Sequence, residues 1–135
     1  MTTGCLFCRI VAGELPSRTV YEDADCVAFL DIPPWHRGHT LVVPRRHVPD
    51  ALSDATVLAS LSPAIVATGT LLVRRLGADG MTVLSSVGAA AGQEVFHLHV
   101  HLVPRYALAA GVGALVTHGD PGDLDDVLAE ITRDR

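Results

Sequence analysis

"HLHVHLVP", residues 97–104, places three of the chain's seven histidines at every second position of one short apolar run. Over residues 95–103 polar and apolar residues alternate among β-branched and aliphatic side chains, with Gly92 and Pro104 as bounds. That pattern predicts a half-buried strand. Side chains two apart in a strand share a face, so His97, His99 and His101 point one way and Leu98, Val100 and Leu102 the other. The apolar side can enter a core, but packing gives no reason for the imidazoles. At a rise of about 3.3 Å per residue, the backbones of His97 and His101 lie roughly 13 Å apart. One metal ion with bonds of about 2.0 Å does not comfortably hold all three rings from a regular strand. The three rings therefore have different jobs.

Upstream of this strand the predicted elements alternate irregularly between strand and helix. Residues 5–12 read as a short helix stopped by Gly13, and Thr19–Glu22 and Cys26–Leu30 as a hairpin around Asp23-Ala24-Asp25. "DIPPWHRG", residues 31–38, is a loop because successive prolines remove two amide donors. "HTLVVP", residues 39–44, resumes as a strand. A helical region follows, with Ser53 or Asp54 capping a first piece, Ser62-Pro63 opening a second as cap and first helical residue, and Gly77 closing it. Residues 81–87 form a further strand, and Gly88 to Gly92 a small-residue loop. A last helix spans about 121–133, its acidic residues early and Arg133 near its end. Strands interrupted by helices without strict alternation favour an α+β fold with an antiparallel sheet.

The chain has 135 residues, of which 49% are hydrophobic and 19% charged, with net charge −5. It is expected to form one domain over residues 1–135, without disorder or a polyanion-binding surface. Nucleic acid is excluded as a partner for want of clustered basic residues. No basic-then-apolar leader and no apolar run approaching ~20 residues is read, so a soluble, cytoplasmic protein without membrane attachment is expected. Cys5, Cys8 and Cys26 form an odd set that does not suggest a disulfide framework.

A neutral imidazole offers one lone pair and titrates near pH 6.5, so it can be base, ligand or nucleophile. "SVGAAAGQE", residues 86–94, has glycines that permit positive φ and let consecutive N–H groups form an anion site. Such a loop would hold a phosphate against the imidazoles. Attack of a ring nitrogen on phosphorus then splits one hard displacement into two easier ones.

His97-Leu98-His99-Val100-His101-Leu102-Val103 resembles the signature of the histidine triad superfamily, and Gly92-Gln93 resembles its phosphate-contacting segment. With Asp31-Ile32, the strand 39–44 and His47 in order, the likeness extends over most of residues 5–106. It is similar to the nucleotide-binding branch of the family, and residues 107–135 are an extension that matches no family ending. The resemblance implies a dimer-forming fold with an antiparallel sheet, one long helix and one or two short ones, the long helix and one strand meeting their symmetry mates. It implies that His99 attacks the α-phosphorus of a nucleoside phosphate derivative, that His101 donates to the phosphate or leaving group, and that Gln93 lies near the scissile bridge with the Gly92 amide on the anion. The base would sit against Leu6, Phe7, Ile10 and Phe29, with Asp31 on the ribose hydroxyls and Ile32 on the sugar. Ser86 stands in the nucleotide site where the family commonly carries Asn, and Glu94 where several members carry Ser.

The expected activity is hydrolysis of purine nucleoside phosphoramidates or related α-phosphate esters through a nucleotidyl-histidine, on ligands such as AMP or adenosine and guanosine phosphates, with no catalytic cofactor. Alternatives on the same scaffold are a dinucleoside polyphosphate hydrolase, a nucleotidyltransferase, a regulatory nucleotide-binding module with vestigial activity, or a zinc-dependent hydrolase with the triad as ligands. In bacterial relatives a pair like Cys5-x-x-Cys8 is half of a structural zinc site, which His47 and His97 would complete here; the competing reading is that both cysteines are buried apolar residues. His36, His39 and His118 are read as ordinary, the first and last in loops and His39 at a strand start. Arg45 and Arg46 are read as a solvated turn.

Overall fold

The computed structural model describes residues 4–116 and 120–133; His118 lies outside them. Nine helices and strands are described: α1 Leu6–Val11, β1 Thr19–Glu22, β2 Cys26–Leu30, β3 Thr40–Pro44, α2 Ala55–Ser60, α3 Ser62–Leu76, β4 Gly80–Leu84, β5 Val100–Arg105 and α4 Leu124–Thr132. The strands form one antiparallel sheet in the order β1-β2-β3-β5-β4. The α+β fold with its antiparallel sheet is the one expected.

Strands β2 and β3 are buried along their whole length, because the sheet is covered on two sides there. On one side Ala28, Leu30, Val42 and Leu102 pack with Leu61, Ala64 and Leu72 of the α2–α3 stretch and with Val127 and Ile131 of α4. On the other, Phe7 of α1 packs with Val27, Phe29, Leu41 and Val43. Burial of such side chains is worth about 1.5–3 kcal/mol each, so the larger side dominates stability. The smaller one positions α1 over the histidines.

Local chemistry sets the element ends. Asp54 caps α2, its carboxylate accepting from the Thr56 and Val57 amides. Ser62 is already helical, not the cap, since α2 turns into α3 through Leu61; Gly77 ends α3 in the left-handed region at φ 65°. Helix α4 starts three residues later than expected, where Asp123 accepts from the Asp125 and Asp126 amides.

The expected absence of a long apolar run is corrected by the α2–α3 stretch. Ala55–Leu76 is long and apolar enough, by length and composition alone, to cross a membrane. Its spacing is that of a core helix, with Val57, Leu61, Ala64, Thr68, Leu72 and Leu76 buried.

The strand at the triad is shorter at its front and longer at its end than its alternation predicts. Residues 95–99 lie outside the ladder: the Leu98 amide donates to the Val48 carbonyl instead, and β4 ends at Leu84, opposite His101, not at residue 87. Ser85 leaves the ladder to donate its hydroxyl to the His99 carbonyl at 2.7 Å. At the other end β5 runs through Pro104 to Arg105. Its pairing with β3 stops at Leu102, so the missing proline N–H falls where only β4 remains alongside.

Candidate active site

His97, His99 and His101 are all withdrawn from solvent to different degrees. His97 is wholly buried, His99 is 9% exposed and His101 is half-buried. The α1 helix covers this side, and the Phe7 ring meets His99 edge-on with centroids 5.0 Å apart.

The hydrogen bonds of each ring decide its tautomer. His99 Nδ1 lies 2.8 Å from the His97 carbonyl. A carbonyl only accepts, so Nδ1 carries the proton and Nε2 keeps the lone pair. Burial holds the His99 pKa below the usual imidazole value, against the opposing pull of the His97 carbonyl. An uncharged ring with a fixed free-electron nitrogen is what a nucleophile requires.

His101 has the opposite arrangement. The Trp35 backbone N–H donates to His39 Nδ1 at 3.0 Å, which puts the proton of a neutral His39 on Nε2. That nitrogen lies 2.9 Å from His101 Nδ1 and donates to it. The proton of His101 is then on Nε2, as a hydrogen-bond donor. Burial, with the neighbouring His99 second, pushes the His101 pKa down to about 4, so the ring is neutral at neutral pH. His39 is thus part of the site and not an ordinary strand start. It is fully buried at the head of β3, next to the residues of that strand that pair with β5. His36 lies in a loop as read from the sequence, but it is buried at 2% exposed, and its Nε2 lies 2.8 Å from the Ala114 carbonyl.

The residues expected around a base line one pocket of about 290 Å³. Leu6, Phe7 and Ile10 from α1 and its flank face Phe29, Asp31 and Ile32 at the end of β2. Asp31 accepts from its neighbour's amide at Ile32 and lies 3.5 Å from His39 Nε2. Burial raises its carboxyl to about 6; the Ile32 amide opposes this and the charge of Glu94 adds to it. Glu94 itself is exposed.

In the glycine loop, Ala89–Ala91 forms a 3₁₀ turn between Gly88 at φ 88° and Gly92 at φ 99°. Both angles disfavour any side chain bearing Cβ. Gln93 is 4% exposed, and its amide is spent on the backbone: Oε1 accepts from the Gly88 amide, while Nε2 donates to the Pro49 and Val95 carbonyls. What Gln93 offers here is the shape of the loop. Ser86 is half-buried in the connection from β4 to this turn.

Cys5, Cys8, His47 and His97 come together, with one ligand atom from each inside a sphere of mutual distances below 4.8 Å. The His97 Nδ1 is 3.4 Å from Cys5 Sγ, 3.5 Å from Cys8 Sγ and 3.1 Å from His47 Nδ1, and Cys8 Sγ is 3.3 Å from His47 Nδ1. Zinc bonds of ~2.0–2.3 Å put tetrahedral corners ~3.3–3.8 Å apart, so the four atoms fit that ion. The ring chemistry agrees. His97 Nε2 lies 2.8 Å from the Pro44 carbonyl and donates to it, leaving the Nδ1 lone pair toward the thiols.

A second set of potential ligands, Asp31, His39 and His101, is as compact but chemically unsuited. A metal on His39 Nε2 would force the proton onto Nδ1, against the Trp35 N–H.

The chain is similar to several known proteins. The sequence matches the HIT domain over residues 12–108. An uncharacterised HIT-like protein of Methanocaldococcus jannaschii is 44% identical over 131 residues, covering 94% of this chain and 98% of its own. Adenylylsulfatase HINT3 of Arabidopsis thaliana is 37% identical over 102 residues, 75% of this chain and 52% of its own length. The crystal structure of a Zn-bound histidine triad family protein from Mycobacterium smegmatis superposes with a TM-score of 0.77 at 33% identity, covering 96% of this chain and 91% of that one.

Proposed function

Since this chain belongs to the HIT domain family, we propose that it hydrolyses purine nucleoside phosphoramidates, or related derivatives of the α-phosphate, through a nucleotidyl intermediate on His99. The observation that carries the reading is the hydrogen bond from His99 Nδ1 to the His97 carbonyl, which leaves Nε2 as an uncharged lone pair. Attack by Nε2 forms a P–N bond to the enzyme as the bond to the leaving group breaks, the departing amine nitrogen taking up a proton drawn from solvent. Water then attacks the same phosphorus, giving a proton to solvent as the histidine bond breaks and Nε2 recovers its lone pair.

The remaining groups have separable roles. His101 Nε2–H donates to a phosphate oxygen as charge gathers there. The turn from Gly88 to Gly92, braced by Gln93, cradles the anion, with Ser86 at its edge. The base occupies the pocket of Leu6, Phe7, Ile10 and Phe29, and an ionised Asp31 accepts from the ribose hydroxyls while Ile32 packs on the sugar. AMP and its adenosine or guanosine analogues are the ligands of this reading. The Arabidopsis relative's name favours a mixed anhydride among the substrates.

Zinc is assigned a structural role, held by Cys5, Cys8, His47 and His97. The Mycobacterium smegmatis relative, described as Zn-bound, supports it. The partner is a second copy of the chain, meeting the first through the outer side of α3 and the edge strand β4, where Ile65, Val66, Val73 and Met81 line an open apolar groove. Sedimentation should then give a dimer.

The test of the reaction is intact-mass analysis after mixing with an adenosine phosphoramidate and quenching in base, where a histidine P–N bond survives. Wild type should carry a transient adenylyl adduct and release AMP. His99→Ala should show no adduct and lose about 10³-fold or more in turnover. Turnover by His99→Ala at the wild-type rate would overturn the proposal.

A further inference from the structure

Trp35 is the only tryptophan of the chain and has no part in the nucleotide pocket just described. Its indole lies flat on the His101 imidazole, with centroids 5.0 Å apart and planes 5° from parallel. It also leans on His39 at 4.7 Å and 39°. Its backbone N–H is the group that occupies His39 Nδ1. One residue therefore touches both rings of the pair, with its side chain on one and its main chain on the other.

These contacts constrain different freedoms. The amide removes the alternative tautomer of His39, and through the 2.9 Å bond that of His101. The stacked indole opposes turning of the His101 ring about its χ2 bond, which would put Cε1–H where Nε2–H stands and break the bond from His39 to Nδ1. It also covers one face of the ring against water. The titratable groups around His101 are His39 at the head of β3, His99 in its own segment and Asp31 at the end of β2, with Glu94 acting on Asp31 from the glycine loop. Across the ladder β4 contributes Leu84, which carries no charge.

We infer that Trp35 is a positioning residue, whose indole and amide together hold His39 and His101 in the single arrangement that aims His101 Nε2–H at the bound phosphate. The inference rests on the hydrolytic reading for its catalytic consequence, but not for the ring arrangement itself. Burial of His101, to which the stacked indole contributes, also accords with its lowered pKa.

The experiment compares wild type with Trp35→Ala and Trp35→Phe in the full chain. Long-range ¹H–¹⁵N spectra of the imidazoles report the tautomer and titration of His101 without requiring turnover. Wild type should show one Nε2–H form of His101, neutral through pH 6. Trp35→Ala should show mixed forms and an upward shift of the titration, and Trp35→Phe should recover most of the wild-type pattern. With an adenosine phosphoramidate, kcat of Trp35→Ala should fall about tenfold at pH 6 and less at pH 8, while AMP affinity stays within about twofold. A His101 spectrum unchanged in Trp35→Ala overturns the inference, whether or not the enzyme turns over. Inert wild type with a changed His101 spectrum would instead overturn the hydrolytic reading and leave the positioning role standing.

Discussion

His97 and His99 are joined through the main chain of one and the side chain of the other: the His97 carbonyl accepts from His99 Nδ1, while the His97 ring turns the opposite way into the thiols. The residue that completes the metal-ligand set therefore also fixes the tautomer of the proposed nucleophile. Loss of the cluster would loosen His97 at its ring and disturb His99 at its nitrogen.

Zinc analysis of the purified chain should find about one ion per protomer. Cys8→Ser should lower both the zinc content and Tm, and kcat should fall more than AMP affinity. A metal-free protein with unchanged Tm would rule out a structural ion. Removal of activity by a chelator without any change in fold would favour a catalytic one.

Asp31 gives a pH dependence of known sign. Its carboxyl is raised from the ordinary 3.8 to about 6, so the folded chain holds a proton there that the unfolded chain has lost. Its favourable contribution is complete below pH 3.8 and disappears as pH rises through 6, a change of roughly 3 kcal/mol at most. Asp31→Asn should thus be more stable relative to wild type at pH 7 than at pH 4. Ribose binding needs the ionised form, so AMP affinity measured by calorimetry should fall below about pH 6 in wild type. In Asp31→Asn it should be low and flat. A wild-type affinity that rises toward pH 5 would contradict the role.

Gln93→Leu keeps most of the volume but strips the Gly88 amide and the Pro49 and Val95 carbonyls of their partner. Each lost bond to a shielded group costs about 1–3 kcal/mol. The glycine turn should relax, weakening AMP about tenfold and leaving adenosine unaffected. Equal losses for both ligands would place the defect outside the phosphate cradle.

Gly38 precedes His39 at φ 85°, and a Cβ there would clash with Leu76 Cδ1 and come within 3.2 Å of Pro104 Cγ. Gly38→Ala should destabilise the chain by about 1–3 kcal/mol, read from denaturant unfolding, with His39 displaced from His101. An unchanged midpoint would mean that α3 yields without cost.

The hairpin of β1 and β2, the strand at residues 40–44 and the break at Gly77 were legible because short-range signals fix them: turn residues, apolar runs and a left-handed cap. The candidate zinc-ligand set was legible only in part, as a spacing of two cysteines to which the family likeness added two histidines. Burial of His39 and His36 was not legible. One reads as a strand start and the other as a loop residue, and each is satisfied by a partner far away in sequence, His101 and Ala114. The front of the triad was misread for a related reason. Alternation identifies residues that share a side, but Leu98 takes its partner from Val48 and Ser85 closes on His99, choices that only the assembled sheet can make.

The line of donors that begins at Trp35 and passes through His39 to His101 starts on a peptide nitrogen, which neither stores nor surrenders a proton near neutral pH. His101 lends polarity to a departing group, and the titratable group within reach behind it is Asp31, 3.5 Å from His39 Nε2. On the proposed reaction, a group that departs without protonation, as sulfate does, makes no demand on that relay, whereas an amine or an alkoxide does.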